Sequence, residues 1–373
     1  MLKYLLLILL ANSSYALFAQ KTEEKKVVLK GKRIVRQYAA NAVTEVKIIS
    51  KSNYVLVDWS DDDMVRLTLE ISGKNVSTLD EAEILAKLGI QVESNTSVLS
   101  IAAINSLRIN NLIYKEGENQ QHPVFQYYPV IRLSIPKRLA LNFNATGSEI
   151  NLRDFYETVF LALYKTSFKA TNIKNLTASQ DLSTVTADHI EHAKIQLDNG
   201  VLRGNRIDTL FVESKNSNID YKRINFLSLK SEIDDYRIRS VDVVYGQKKF
   251  KGFRIDTLHK RIDINGSSMD LTINTVLQSV DSLKIINKYG RINIDLSNVK
   301  NYTASIAGLR YLNMPSDVIL SPKNDDIRIT PIDIASSGYS SNAITTFLFS
   351  KGNSKAKPTY INMDCSDCAL NIK

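Results

Sequence analysis

The sequence predicts an all-β protein, a β-solenoid of stacked coils about 17 residues long, and three observations carry that prediction. First, four apolar columns share one period. Ile173, Ile190, Ile207, Ile224 and Val241 are spaced by 17 residues, as are Leu176, Ala193, Leu210 and Leu227, then Ala178, Ile195, Val212 and Leu229, then Val185, Leu202, Ile219 and Tyr236. Self-similarity at a fixed period marks a repeat architecture. Second, apolar and polar residues alternate within each repeat, as in LFVESKNSNIDYKRI from Leu210 to Ile224, which is the pattern of strands with one buried face. Third, the 373 residues include only 14 Gly and 7 Pro, so the corners must be polar and repetitive rather than built on conventional turn residues. Strands of about five residues are too short to stand alone. Stacking equivalent coils in parallel solves this, because the inward columns then form one continuous core.

The elements follow in order. Residues 1–19 read as a secretory signal peptide: Lys3, an apolar run from Leu5 to Ala11, and cleavage points after Ala16 or Ala19. No later stretch approaches the roughly 20 apolar residues of a membrane helix, and no cysteine near the cleavage points suggests a lipid anchor. Residues 20–129 form an N-terminal β cap segment. VTEVKIISKSNYVLVDWSDDDMVRLTLEISGK alternates as three strands, and STLDEAEILAKLG reads as a short helix with a capping box at Thr78 and Glu81 and a stop at Gly89. Such a cap shields the open edge of a stack. Residues 130–320 carry the solenoid, with looser coils around LALNFNATGSEINL before the strict repeats and LKIINKYGRINIDL after them. Residues 321–373 form a C-terminal β segment holding Cys365 and Cys368.

The order of YVLVDWSDDDMVRLTLEI, DEAEILAKLGIQVES and VIRLSIPKRLALNFNATGSEINL ahead of serial coils resembles the adhesin-like exported proteins with a head GIN domain, common in Bacteroidetes. The resemblance spans Val43 to Leu320, with Trp59 before an acidic turn and Pro136 opening the coils; Asn or Ser stands at several corners where relatives carry Tyr-Gly, as kept at Tyr289-Gly290. It implies a right-handed single-stranded parallel β-helix, an envelope or surface location, and no established enzymatic activity. It supplies no functional residues to carry over.

The formal charge is +9, or +8 without Lys3. Lys and Arg are mostly interleaved with acids; the longest basic clusters, Lys21 to Arg36 and Lys248 to Lys251, read as solvated faces, and no nucleic-acid partner is expected. The chain's only two cysteines lie in INMDCSDCALNIK, whose spacing repeats that of Leu283 to Ile294, so Cys365 and Cys368 flank a coil corner. Residues i and i+3 of a turn lie within disulfide reach, and export supplies an oxidising compartment. A structural disulfide is therefore favoured over a redox centre, which wants a helix N-terminus, and over a metal half-site, which lacks two further ligands.

Other candidate sites are weaker. His189 and His192 flank the inward Ile190 and lack a third ligand column. Asp58 and Asp61 to Asp63 could attract calcium but have no EF-hand spacing. Asp181, Asp198, Asp234 and Asp235 lie near corners, where solenoid glycosidases place their acids, yet no paired carboxylates recur. No nucleophile elbow is present. Asp-Thr-Leu at 208 and 256 and Asp-Ser-Leu at 281 resemble a Bacteroidetes O-glycosylation site. Flat faces bearing Tyr and Asn suit a glycan or an envelope protein as partner. The expectation is thus an exported, non-enzymatic protein of periplasm or cell surface, without catalytic, cofactor or metal residues. The alternatives are a polysaccharide-active enzyme or a periplasmic signalling component.

Overall fold

The computed structural model describes residues 31–72, 80–105, 130–154, 156–313, 319–320, 346–351 and 357–373. The expected signal peptide and Thr78 lie outside these residues. The described chain is all-β apart from one seven-residue helix, Glu81–Lys87. Its N-cap is Asp80, whose side chain accepts a hydrogen bond from the Ala82 backbone N–H. This corrects the capping box expected at Thr78 and Glu81: the helix begins later than that box requires, with Asp80 at its N-cap serving the orphan Ala82 donor.

The repeat is read directly in the strand pairing. Ser167–Asp181, Thr184–Asp198, Val201–Lys215, Asn218–Glu232 and Asp235–Lys249 are successive strands of 15 residues, each parallel to the next with partners 17 residues apart. Tyr156–Tyr164 precedes them and Gly252–Ser267 follows. These strands are far longer than the five residues expected, because parallel hydrogen bonding between coils continues through the bends. In Asn218–Glu232 burial alternates except at two outward pairs, Lys222-Arg223 and Asn225-Phe226, where the strand turns while staying paired. All members of the four apolar columns are buried.

A left-handed residue falls between each of these strands and the next. Lys165, Leu182, Asn199, Asn216, Ile233 and Phe250 all adopt left-handed backbone conformations, with φ between 47° and 60°. The 17-residue period therefore extends to backbone geometry, even where Leu, Ile or Phe pays a steric cost there.

Both ends of the sequence join the stack. The three strands expected near the N-terminus form over Glu45–Lys51, Tyr54–Ser60 and Met64–Ser72. The first runs parallel to Ala140–Thr146, and the second runs parallel to both Val130–Pro136 and Glu149–Leu152. Met64–Ser72 is antiparallel to Val130–Pro136 and to Gly31–Ala39, which lies outermost on that side. The last strand, Thr359–Ile372, lies between Ser282–Ile294 and Tyr302–Asn313, parallel to both. The cysteine pair is thus in an inner layer of the stack, not in its terminal coil as the sequence order suggested. Tyr302–Asn313 covers it, backed by antiparallel Thr346–Lys351.

Candidate functional site

The outer face formed by the second half of each coil carries a groove of about 670 Å³. Parallel register stacks its walls. One row holds Ser179, Gln196, Glu213, Lys230 and Gln247, and the other holds Asp181, Asp198, Lys215, Glu232 and Lys249. The floor is backbone, since the intervening Leu197, Ser214 and Ser231 are buried. The charge changes along the groove, from uncharged Thr146 and Tyr164 through Asp181 and Asp198 to Lys249 at the other end, with a Glu213–Lys230 pair at 3.8 Å between. Phe211 and Tyr245 stand two residues before Glu213 and Gln247 on the same strands, and Phe226 four residues before Lys230. Phe211 is 50% exposed; its ring lies 5.8 Å from Phe226, which lies 5.7 Å from Tyr245, and the Arg261 guanidinium stands 5.4 Å over Tyr245.

Beneath the groove floor lies a buried polar network. Asp234 is fully buried, and Ser214 Oγ (2.8 Å), Ser231 Oγ (2.6 Å) and the backbone N–H of Ser217 (2.6 Å) and Glu232 (3.0 Å) donate to its carboxylate. Lys248, expected on a solvated face, is instead fully buried and donates from Nζ to the backbone carbonyls of Asp234 (2.5 Å) and Phe250 (2.9 Å). Burial lowers the Lys248 amine to about 8, with Asp234 opposing the shift. Burial likewise raises the Tyr236 phenol above its ordinary range.

A second polar network runs along the bends. His189 Nε2 lies 3.1 Å from Asp208, which also accepts from Arg206 (2.7 Å) and Asn225 (2.7 Å). Burial alone would raise the Asp208 carboxyl, but the hydrogen bonds from Arg206 and His189 hold it below the usual range. Arg223 then links Asn225 (2.9 Å), Ser240 (2.9 Å) and Asp242 (2.5 Å), and Ser240 Oγ lies 2.8 Å from His259 Nε2. Burial and then the Arg223 charge lower the His259 imidazole.

Cys365 and Cys368 lie at disulfide distance across a corner, with Cα atoms 5.3 Å apart and Asp367 left-handed between them. His189 is tied to Asp208, whereas His192 is exposed. No group of three His, Cys, Asp or Glu side chains poised for a metal occurs among the described residues. The acidic turn is not merely solvated: Asp58 pairs with Arg132 (3.0 Å), Asp62 with Arg66, and Asp63 with Arg138 (3.1 Å). Asp181 and Asp198 are neighbours in the groove wall, Asp234 points inward, and exposed Asp235 is 4.0 Å from Lys251. Thr209, Thr257 and Ser282 are half-exposed within strands.

Sequence reasoning missed the groove rows, the aromatics on the same strands and the buried network. The 17-residue columns did hold the signal, since Thr166, Ser183, Ser217 and Asp234 follow the same spacing as the apolar residues, with Gly200 breaking the series.

No known protein family matches the chain, and no curated protein matches it. Among solved structures, it is similar to a proposed cell adhesion protein of Clostridium sporogenes, at 9% identity over 92% of this chain and 99% of that one, with a TM-score of 0.22. It is also similar to a proposed lipid-binding protein of Parabacteroides distasonis, at 13% identity over 70% of this chain and 96% of that one, with a TM-score of 0.32. A proposed adhesin of Bacteroides fragilis aligns at 12% identity over 70% and 96%, with a TM-score of 0.29. Likenesses at these scores transfer neither site nor role, so function rests on the chain's own geometry. No helix among the described residues is long and apolar enough to cross a membrane.

Proposed function

We propose that the chain is an exported, non-enzymatic binding protein of the cell envelope, at the surface or in the periplasm, that holds an extended glycan against one flat face. In this reading the stack is a right-handed single-stranded β-helix of the kind that the head GIN domain resemblance implies. The observation that carries it is the groove of about 670 Å³ walled by stacked Gln, Ser and charged side chains, with Phe211 and Tyr245 two residues before its first row on the same strands. Aromatic rings offer an apolar body for the faces of sugar rings, while Gln196 and Gln247 offer both donors and acceptors for hydroxyls. Repetition along the stack suits a polymer with its own repeat.

The test is glycan-array binding by the mature protein and by a Phe211→Ala/Gln196→Ala variant. Binding to at least one glycan class that the variant loses supports the reading; no binding across neutral and charged glycans overturns it. Protease shaving of intact producing cells, with a periplasmic control, separates the surface from the periplasm.

A further inference from the structure

A second face, built by the first half of each coil, is separated from the groove by the left-handed corners at Asn199, Asn216, Ile233 and Phe250. Arg203, Asp220, Arg237 and Arg254 are successive register partners across four coils on this face. Lys222 and Arg239 lie two residues beyond Asp220 and Arg237, and all six side chains are exposed. Five cations thus gather around Asp220 and Asp256, the second of which is 3.1 Å from Arg254, with Asp235, 4.0 Å from Lys251, and Asp188, bonded to Asn205, at the margins. Lys222, Arg237 and Arg239 have no ion pair or side-chain hydrogen bond among the described residues. Arg237 and Arg254 stand directly side by side, an arrangement of like charges that costs stability in an isolated sheet.

We infer that this face binds an anionic polysaccharide through its repeated carboxylate groups. Four of the five cations are arginines, whose planar forks match carboxylates in two-point contacts. An anion seated between Arg237 and Arg254 would relieve their repulsion. The face is also poor in what a single-stranded nucleic acid uses, namely exposed aromatics for stacking: Tyr221, Tyr236 and Phe253 in these strands all turn into the core. In the linear sequence these residues are scattered over 52 positions from 203 to 254 among acids, but Arg203, Asp220, Arg237 and Arg254 keep the 17-residue spacing, and the stacking turns that spacing into one face.

Polygalacturonate and dextran, titrated against the full mature chain by calorimetry, give a direct test. Polygalacturonate should bind and dextran should not, with binding weakening steeply as salt rises past the range where surface charges are screened. The Arg237→Gln/Arg254→Gln variant should lose at least about tenfold in affinity while its melting temperature stays level or rises. Should that variant fail to fold, Lys222→Gln/Arg239→Gln serves, because both side chains lack partners. The Phe211→Ala/Gln196→Ala variant should bind polygalacturonate normally, so this inference and the groove reading fail separately. Unchanged affinity in the arginine variant overturns the proposal. Equal binding of duplex DNA, lost in the same variant, also overturns it by showing a surface for any polyanion.

Discussion

The backbone N–H of Ser217 donates to Oδ1 of Asp234, 17 residues later, at 2.6 Å. This is one rung of a ladder inside the left-handed corners. Ser148 N–H donates to Thr166 Oγ1 (3.3 Å), Thr166 N–H to Ser183 Oγ (3.0 Å) and Gly200 N–H to Ser217 Oγ (3.1 Å). The hydroxyls of Thr166, Ser183 and Ser217 turn back to the carbonyl two residues before them, at 3.0, 2.8 and 2.7 Å. Further along, Lys248 and Asn287 reach forward to the carbonyls of Phe250 and Tyr289, each at 2.9 Å. Cys365 and Cys368 occupy the equivalents of Asn287 and Gly290, so the pair stands where other coils clasp the corner with hydrogen bonds. The ladder answers the need of buried corner amides for partners.

Ser217→Ala removes the acceptor of the buried Gly200 N–H and should destabilise the protein by about 1–3 kcal/mol. Denaturant unfolding checks this. An unchanged midpoint would mean that the ladder contributes nothing to stability.

Ile233 holds φ at 60°, a conformation that a β-branched side chain adopts only under strain. Ile233→Asn places a tolerant residue there, as Asn199 and Asn216 already are in neighbouring coils. Stability should rise by about 1 kcal/mol, read as a higher thermal midpoint.

Gln180 is 3% exposed, and neither amide atom has a hydrogen-bond partner in the structure. Its column neighbours are Leu163 and Leu197. Gln180→Leu should therefore stabilise by about 1–2 kcal/mol, since it removes an unsatisfied buried amide; a loss of stability would show that the amide is satisfied by water.

Lys248 gives stability a definite pH dependence. Below about 8 the amine is protonated both folded and unfolded, and the cost of burying the charge is present in full. Between about 8 and the ordinary 10.5 the folded amine is neutral while the unfolded one still binds a proton, so stability rises with pH. The gain is at most about 3 kcal/mol. Buried tyrosines act in the opposite sense at high pH, so the quantity to measure is the difference between the wild type and Lys248→Met. That difference should move toward the wild type between pH 8 and 10, and a flat difference would contradict the assignment.

The cysteine pair should yield no free thiol when the unreduced protein is denatured and titrated. Cys365→Ala/Cys368→Ala should cost about 2 kcal/mol, the value for closing so short a loop. Two titratable thiols would remove the staple from the account.

Much of the fold is legible in the primary structure because burial repeats. Ile173, Ile190, Ile207 and Ile224 recur at the spacing of the coils and lie in one buried column, and the alternation around them marks strands by the two-residue period of a pleated chain. The helix and the three N-terminal strands are equally local signals. The corner of Cys365 and Cys368 was readable from its likeness to Leu283–Ile294, which is its parallel partner.

Tertiary structure alone decided the rest. It placed the final strand between Ser282–Ile294 and Tyr302–Asn313, because an edge strand accepts any segment of matching pattern whatever its place in the chain. It also turned Ser214, Ser231 and Lys248 onto Asp234 with hydrogen bonds that the 17-residue spacing does not itself specify. A residue's outward or inward direction follows from local alternation, but its neighbours on a face come from adjacent coils. Within the regular coils those neighbours are announced by the 17-residue period, whereas pairings such as that of Thr359–Ile372 join segments far apart in the chain, which no local pattern encodes.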